Sequence, residues 1–281
     1  MFVKANAKIN LYLDVISKRD DGYHNLDMVM LPLELHDSIS FEKVPYLKDS
    51  YITCDHVELQ ETKYNLINQT LCEMKKRYDI KDNFAVFIHK EIPISAGLGG
   101  GSSNAASTIK AIRSICKIKM DEKEELDLAK SIGADVPFCL NNKPAHVEGI
   151  GEKISAISLK NPFFVIIIKP SKGLSTKHVF EESDKREYRH GNVNDVIKAL
   201  EIGDDELLAK SMFNSLEDTS ISLVPEIQEV KDMLKADGFD MVLMSGSGSS
   251  VFALTRNHKF ALEKYKKYDK KGYEVYLTKT L

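Results

Sequence analysis

Residues 3–15 alternate between apolar and polar side chains almost without a break. Val3, Ala5, Ala7, Ile9, Leu11, Leu13 and Val15 fall on one side, and Lys4, Asn6, Lys8, Asn10, Tyr12 and Asp14 on the other. A period of two predicts a half-buried strand, bent or split given its length. Lys8 and Asn10 then share a face, about 7 Å apart at the usual rise per residue, and can serve one site. Asp20-Asp21-Gly22 reads as a turn, and residues 26–35 as a second strand paired back on the first. A helix over 66–78 and a strand over 84–89 follow. The next apolar positions, Ala105, Ala106, Ile109, Ile112, Ile115 and Cys116, recur at three-to-four spacing and predict an amphipathic helix. Residues 121–132 give another, closed by Lys130 and Gly133.

Near residue 155 the pattern restarts. A strand over 163–169 precedes a polar, charge-rich stretch over 181–194. Helices are then predicted near 194–199, 204–210 and 225–236, with strands over 239–244, 251–255 and 273–277. Strands and helices are interspersed without a strict βαβα repeat, so the fold class expected is α+β. A length of 281 residues allows one large or two moderate domains. The restart divides the chain into residues 1–155 and 156–281.

The net charge of −3 argues against a dedicated nucleic-acid binder. One basic run, Lys259, Lys264, Lys266, Lys267, Lys270 and Lys271 with Tyr265 and Tyr268 among them, keeps an RNA-associated reading open. A solvated helix face anchored by Phe260 and Leu262 explains it as well. Cys54, Cys72, Cys116 and Cys139 are scattered, with no metal-ligand spacing, and read as reduced thiols. Lys4, Lys8 and Asp14 interrupt the N-terminal segment, unlike a signal peptide, and the longest apolar run, 163–168, is too short to cross a bilayer. A soluble, cytoplasmic protein is expected, with no membrane partner.

The chemistry concentrates in Pro93-Ile94-Ser95-Ala96-Gly97-Leu98-Gly99-Gly100-Gly101-Ser102-Ser103-Asn104. Glycines leave backbone N–H groups uncovered and admit unusual turns, and a helix N-terminus adds uncapped donors and a positive dipole end. That combination suits a phosphate. The stretch is neither a P-loop, since no lysine follows until Lys110, nor a dinucleotide fingerprint, since each G-x-G lacks its third glycine. A second small-residue loop, Ser245-Gly246-Ser247-Gly248-Ser249-Ser250, lies between two predicted strands. Asp135 follows a predicted helix end, with Pro137 biasing Val136 toward extended backbone. Taken singly, Asp135 is a turn cap and Lys8 a solvated strand lysine. Together with two glycine loops they supply positioned donors, positive charge and a group to orient a hydroxyl, which phosphoryl transfer needs.

These residues resemble a known family. Pro93-x-x-x-Gly97-Leu98-Gly99 followed by Ser102-Ser103-x-Ala105-Ala106 is similar to the phosphate-binding motif of the GHMP kinases, and the first strand and the Ser245 to Ser250 loop are similar to the other two motifs in order. Five segments, Ala7-Lys8-Ile9-Asn10-Leu11-x-Leu13, Asp21-Gly22-Tyr23-His24, Gly97 to Ala106, Gly133-x-Asp135-Val136-Pro137-Phe138 and Glu148-Gly149-Ile150-Gly151-Glu152, narrow the likeness to members acting on a cytidine diphosphate-linked methylerythritol. The resemblance implies an N-terminal nucleotide-binding domain like ribosomal protein S5 domain 2 and a C-terminal ferredoxin-like α/β plait. It implies ATP-dependent phosphorylation of the acceptor's 2-hydroxyl in isoprenoid precursor synthesis, by a monomer or homodimer.

By the same resemblance, Pro93, Ala96, Gly97, Leu98, Gly99, Gly100, Gly101, Ser102, Ser103 and Asn104 wrap the ATP phosphates, with Mg2+ near Ser102 or Ser103. Tyr64, Asn65, Leu66 and Lys90 lie near adenine. Asp135 accepts or orients the proton of the attacking hydroxyl, with Lys8 between it and the phosphoryl group. Tyr23 and Phe180 cover the faces of cytosine, His24 meets its polar edge, and Asn10, Ser247 and Gly248 hold the rest of the acceptor. One departure stands out: Asn141-Asn142-Lys143-Pro144 replaces a usual glycine pair, so that turn is built differently. A homoserine- or mevalonate-type kinase, which would not need Tyr23, His24 and Phe180, and a non-catalytic ligand-binding regulator on the same scaffold remain open.

Overall fold

A computed structural model describes residues 1–46, 48–56 and 66–281. Tyr64 and Asn65, expected near adenine, lie outside the described residues. The chain forms two compact units: the first comprises Met1–Ala7, Leu35–Ile92 and Gly99–Asn142, the second Lys8–Glu34, Pro93–Leu98 and Lys143–Leu281. Strand β1 (Phe2–Lys18) and strand β2 (His24–Lys43) each contribute residues to both.

In the first unit, the end of β2 runs antiparallel to β4 (Phe84–His89), with Ser38 opposite His89 and Lys43 opposite Phe84. Strand β3 (Tyr51–Cys54) lies parallel on the other side of β4. Helix α1 (Leu66–Arg77) packs on helix α2 (Gly100–Ile115). Ile67, Leu71 and Met74 of α1, and Ala105, Ile109 and Ile112 of α2, are fully or nearly fully buried, as their spacing predicts. Helix α3 (Glu122–Ile132) starts with a complete capping box between Asp121 and Glu124.

Helix α4 (Val136–Asn141) corrects the reading of Asp135 and Val136. Val136 is helical rather than extended, because Pro137 sits in the first turn, where its missing N–H is no loss. Asn142 then closes α4 in the left-handed region at φ 49°. Asparagine adopts that conformation more readily than most residues, so it does here what a glycine would do. The Asn142 amide also donates to Asn6 Oδ1 at 3.1 Å.

In the second unit, the remainder of β2 pairs antiparallel with β5 (Ala145–Gly149), which in turn pairs with β6 (Lys153–Ala156). Strand β7 (Phe164–Lys169) leads into helices α5 (Thr176–Ser183), α6 (Val193–Ile202) and α7 (Asp205–Ser211). The two-residue strand β8 (Phe213–Asn214) lies parallel to β1, and helices α8 (Glu217–Leu223) and α9 (Glu226–Ala236) follow. Strands β9 (Met241–Met244) and β10 (Val251–Thr255), helix α10 (His258–Lys270) and strand β11 (Glu274–Lys279) complete it.

Strands β7, β9, β10 and β11 form an antiparallel sheet in the order β11-β7-β10-β9. With helices between β7 and β9 and between β10 and β11, this is the split βαβ pattern of a ferredoxin-like plait. Ile166, Ile167, Ile168, Val251, Phe252 and Ala253 make it a dry core.

The basic run of α10 has a structural use. Tyr268 is fully buried and donates its hydroxyl to Asp237 at 2.7 Å, and Lys267 Nζ donates to the same carboxylate at 2.7 Å. Burial pushes the Asp237 carboxyl up, but these bonds outweigh it and hold the group below the ordinary range. Among the described residues, no helix is long and apolar enough to cross a membrane.

Candidate functional site

In the first unit the glycine stretch becomes a helix start. Gly99 is the N-cap of α2 at φ 69°, in the left-handed region, and no side chain caps the helix. The first-turn N–H groups therefore lack the usual side-chain acceptor and remain available to an anion. Gly100 has a steric reason: a Cβ there would stand 3.1 Å from Ile92 Cγ2 and 3.3 Å from Lys90 Nζ. Gly101 is looser, with only Leu66 Cδ1 at 3.4 Å. Ser103 and Asn104 are buried, and Asn104 Oδ1 has no hydrogen-bond partner among the described residues.

Lys90 carries its charge to the start of α2, but it is not a loose cation. Its Nζ donates to Asp37 Oδ2 at 2.5 Å, with side-chain exposures of 5% and 0%. The amides of Glu91 and Ile92 donate to Asp37 Oδ1 at 3.0 and 2.9 Å. A fully buried carboxylate thus secures the segment that leads into the glycines. Asp37 was missed from the sequence, where it falls two residues beyond the strand expected over 26–35; the observed strand continues to Lys43.

Asp135 also belongs to the first unit and precedes α4, yet its side chain makes no capping bond to that helix. Capping α4 is therefore not the role of this side chain.

In the second unit, the segment Pro93–Leu98 is clamped against the loop Ser245 to Ser250. The Ser245 hydroxyl donates to Gly97 O at 3.0 Å, and Ser250 N donates to Ala96 O at 3.3 Å. A Cβ on Gly97 would lie 2.0 Å from Ser245 O, and φ there is +74°. Leu98 O accepts from Lys8 N at 3.0 Å, which ties β1 to the same segment. The Lys8 ammonium, 4% exposed, donates to Asn10 Oδ1 at 2.7 Å, so the strand periodicity does bring these two side chains together. A Cβ on Gly246 would stand 3.3 Å from Lys8 Nζ. Such a buried ammonium is costly and favours an anionic neighbour. Ser247 Oγ bonds Thr176 Oγ at 2.9 Å, and Gly248 sits at φ +84° with no room for a side chain beside Met244.

A third cluster, also in the second unit, gathers Tyr23, His24 and Phe180. Tyr23 is 58% exposed and His24 only 8%. The His24 and Phe180 rings stack with centroids 4.7 Å apart at 24°. One face of Phe180 is therefore covered by His24. His24 Nε2 lies 2.7 Å from Asp184 Oδ1, a partner that sequence reading missed. Asp184 is the C-cap of α5, a helix not predicted from the sequence, and it lies 160 positions from His24.

Residues 65–143 match the family described as GHMP kinases N terminal domain, and residues 196–274 match GHMP kinases C terminal. Two proteins of Clostridium botulinum, each named 4-diphosphocytidyl-2-C-methyl-D-erythritol kinase, are 38% (strain Langeland) and 35% (strain Eklund 17B) identical over 282 residues, covering 100% of both chains. A solved structure of 4-(cytidine 5'-diphospho)-2C-methyl-D-erythritol kinase superposes with a TM-score of 0.83 at 29% identity, covering 100% of this chain and 99% of that one. The Methanococcus jannaschii mevalonate kinase shares the fold, with a TM-score of 0.72 at 17% identity over 100% and 98% of the two chains. A glycine-opened helix, a buried strand lysine and full-length relatives thus agree, and the chain belongs to the GHMP kinase family.

Proposed function

We propose that this chain is an ATP-dependent kinase that phosphorylates the 2-hydroxyl of 4-diphosphocytidyl-2-C-methyl-D-erythritol, as its full-length relatives' names indicate. The observation that carries the reading is the uncapped start of α2 at Gly99, Gly100 and Gly101, within a chain that aligns end to end with those relatives. Residues 1–155 supply the nucleotide side and residues 156–281 the remainder of the acceptor side.

The amides of Gly99 to Ser103 hold the ATP phosphates, and Leu66 and Lys90 flank the adenine. Asp135 orients the attacking hydroxyl and takes up its proton as the acceptor O–Pγ bond forms and the bond from Pγ to the β–γ bridging oxygen breaks, releasing ADP. Lys8, kept beside Asn10, offsets charge on the transferred phosphoryl group. Orientation and charge stabilisation carry most of such a reaction. Mg2+ suits the oxygen donors here, the Ser102 and Ser103 hydroxyls and the unpartnered Asn104 Oδ1, and when bound with ATP it neutralises phosphate charge. Among the described residues, no group of three or more His, Cys, Asp or Glu side chains forms a metal centre.

Tyr23, His24 and Phe180 take the cytosine, and Asn10, Ser247 and Gly248 the remaining acceptor. The protein works in the cytoplasm as a monomer or homodimer, without nucleic-acid or membrane partners. An ADP-release assay with a panel of alcohols tests this. The cytidine diphosphate-linked methylerythritol is expected to be turned over, with homoserine and mevalonate inert. Turnover of either of those instead would refute the assignment.

A further inference from the structure

Asp184 gathers more donors than a surface helix end requires. Lys18 Nζ donates to Oδ2 at 2.6 Å, while His24 Nε2 and Tyr188 Oη reach Oδ1 at 2.7 and 2.9 Å. The carboxylate is 17% exposed and the imidazole 7%. Phe180, one helical turn earlier, stacks on the same imidazole at 4.7 Å. The ring is thus fixed in its plane by an aromatic face and about its axis by a carboxylate.

The chemistry of the carboxylate decides which nitrogen carries hydrogen. Burial pushes the Asp184 carboxyl up, but the bonds from Lys18, His24 and Tyr188 outweigh it and keep the group below its ordinary range. An ionised carboxylate only accepts, so Nε2 of His24 must be the donor. In the neutral ring Nδ1 then bears a lone pair and can only accept. Cytosine offers a donor at its exocyclic 4-amino group, where uracil has an acceptor oxygen.

We propose that Asp184 is a positioning residue for base selection: it holds His24 as the Nε2–H tautomer, so that Nδ1 accepts from the 4-amino group of the acceptor's cytosine and repels a uracil. This rests on the reading that His24 meets the base of the acceptor. Removing Asp184 frees the ring to rotate and to exchange tautomers. A merely structural carboxylate would instead weaken both substrates alike.

The test uses the full chain with 15N-labelled histidine. Long-range 1H–15N correlation, with the His24 signals assigned by their loss in His24→Ala, is expected to show Nε2–H at His24 in the wild type. Mixed or inverted protonation is expected in Asp184→Asn, whose amide can either accept or donate. Asp184→Ala should raise the acceptor's KM at least tenfold, leave the KM for ATP within twofold, and narrow the preference for cytidine over uridine diphosphate-linked acceptor. Should the alanine variant fold poorly, the isosteric asparagine variant carries the same comparison. If His24→Ala raises the acceptor's KM but neither Asp184 variant does, the proposal falls and the base-site reading stands. If His24→Ala leaves that KM unchanged, the base-site reading itself falls. An Nδ1–H ring in the wild type also overturns the proposal.

Discussion

Two glycine-rich stretches lie in this chain, and they use glycine for opposite purposes. At Gly99 to Gly101 the absence of side chains opens a helix end: Gly101 is exposed and a Cβ there would meet only Leu66 at an ordinary distance. At Gly97 the same residue type permits contact so close that no Cβ fits, with Ser245 O 2.0 Å from the position, and a Cβ on Gly246, in the other segment, would stand 3.0 Å from Gly97 O. One set of glycines leaves the amides of a helix start without a side-chain cap, the other lets two backbone segments touch. Glycine content alone does not separate them; the neighbours do.

The largest expected effect tests the second use. Gly97→Ala forces a Cβ into a carbonyl at positive φ and should cost at least about 3 kcal/mol, at the severe end for single substitutions, read as a fall in melting temperature. A variant of wild-type stability would show that the clamp is loose.

Asp135→Asn asks whether the chemical step depends on the first unit's carboxylate. Single-turnover phosphoryl transfer should slow by about 10²–10⁴-fold, with the KM for ATP unchanged. Near-normal rates would remove Asp135 from the step. Tyr23→Ala probes the exposed aromatic, whose loss should raise the acceptor's KM by roughly 5–150-fold, the equivalent of about 1–3 kcal/mol of base stacking. An equal rise for ATP would contradict a base contact.

Gly101→Ala sharpens the contrast with Gly97. Alanine favours the helix by up to about 1 kcal/mol, so melting should hold or rise while the KM for ATP increases several-fold. Unchanged nucleotide affinity would mean that the opened end is not approached by phosphate.

The smallest effect is electrostatic. Because the folded Asp184 carboxyl lies below its unfolded value, its stabilisation is present above the unfolded pKa and is lost as pH falls through the folded one. Acid unfolding of Asp184→Asn, followed by circular dichroism, should be less steep than that of the wild type.

The first strand and the glycine motif were legible because each is written in local sequence. The alternation predicted a half-buried strand, however, whereas Lys8, Asn10, Tyr12 and Asp14 on its polar side are buried too. Strand β1 runs from Phe2 to Lys18, and its pairing of Lys8 with Asn10 follows from a period of two. The rule that a residue before proline is extended failed at Val136, because a first helical turn tolerates proline. Helix α5 was hidden by its charge: it holds few buried residues, Val179 and Ser183 among them. The meeting of His24 with Asp184 spans 160 positions, and no local period announces a contact made by tertiary packing. Asp37 was opaque for the same reason, since its partners Lys90, Glu91 and Ile92 lie more than fifty positions away.

The segment from Ser245 to Ser250 is a loop only by its shape. Ser245 N bonds Ser250 O, Gly248 N bonds Ser245 O, and Ser250 N reaches Ala96 O, while Ser245, Ser249 and Ser250 have no solvent exposure. Amides so placed are expected to exchange with deuterium as slowly as those of a core strand. A small molecule designed to bind beside them would meet a rigid wall, and its fit would have to come from its own shape.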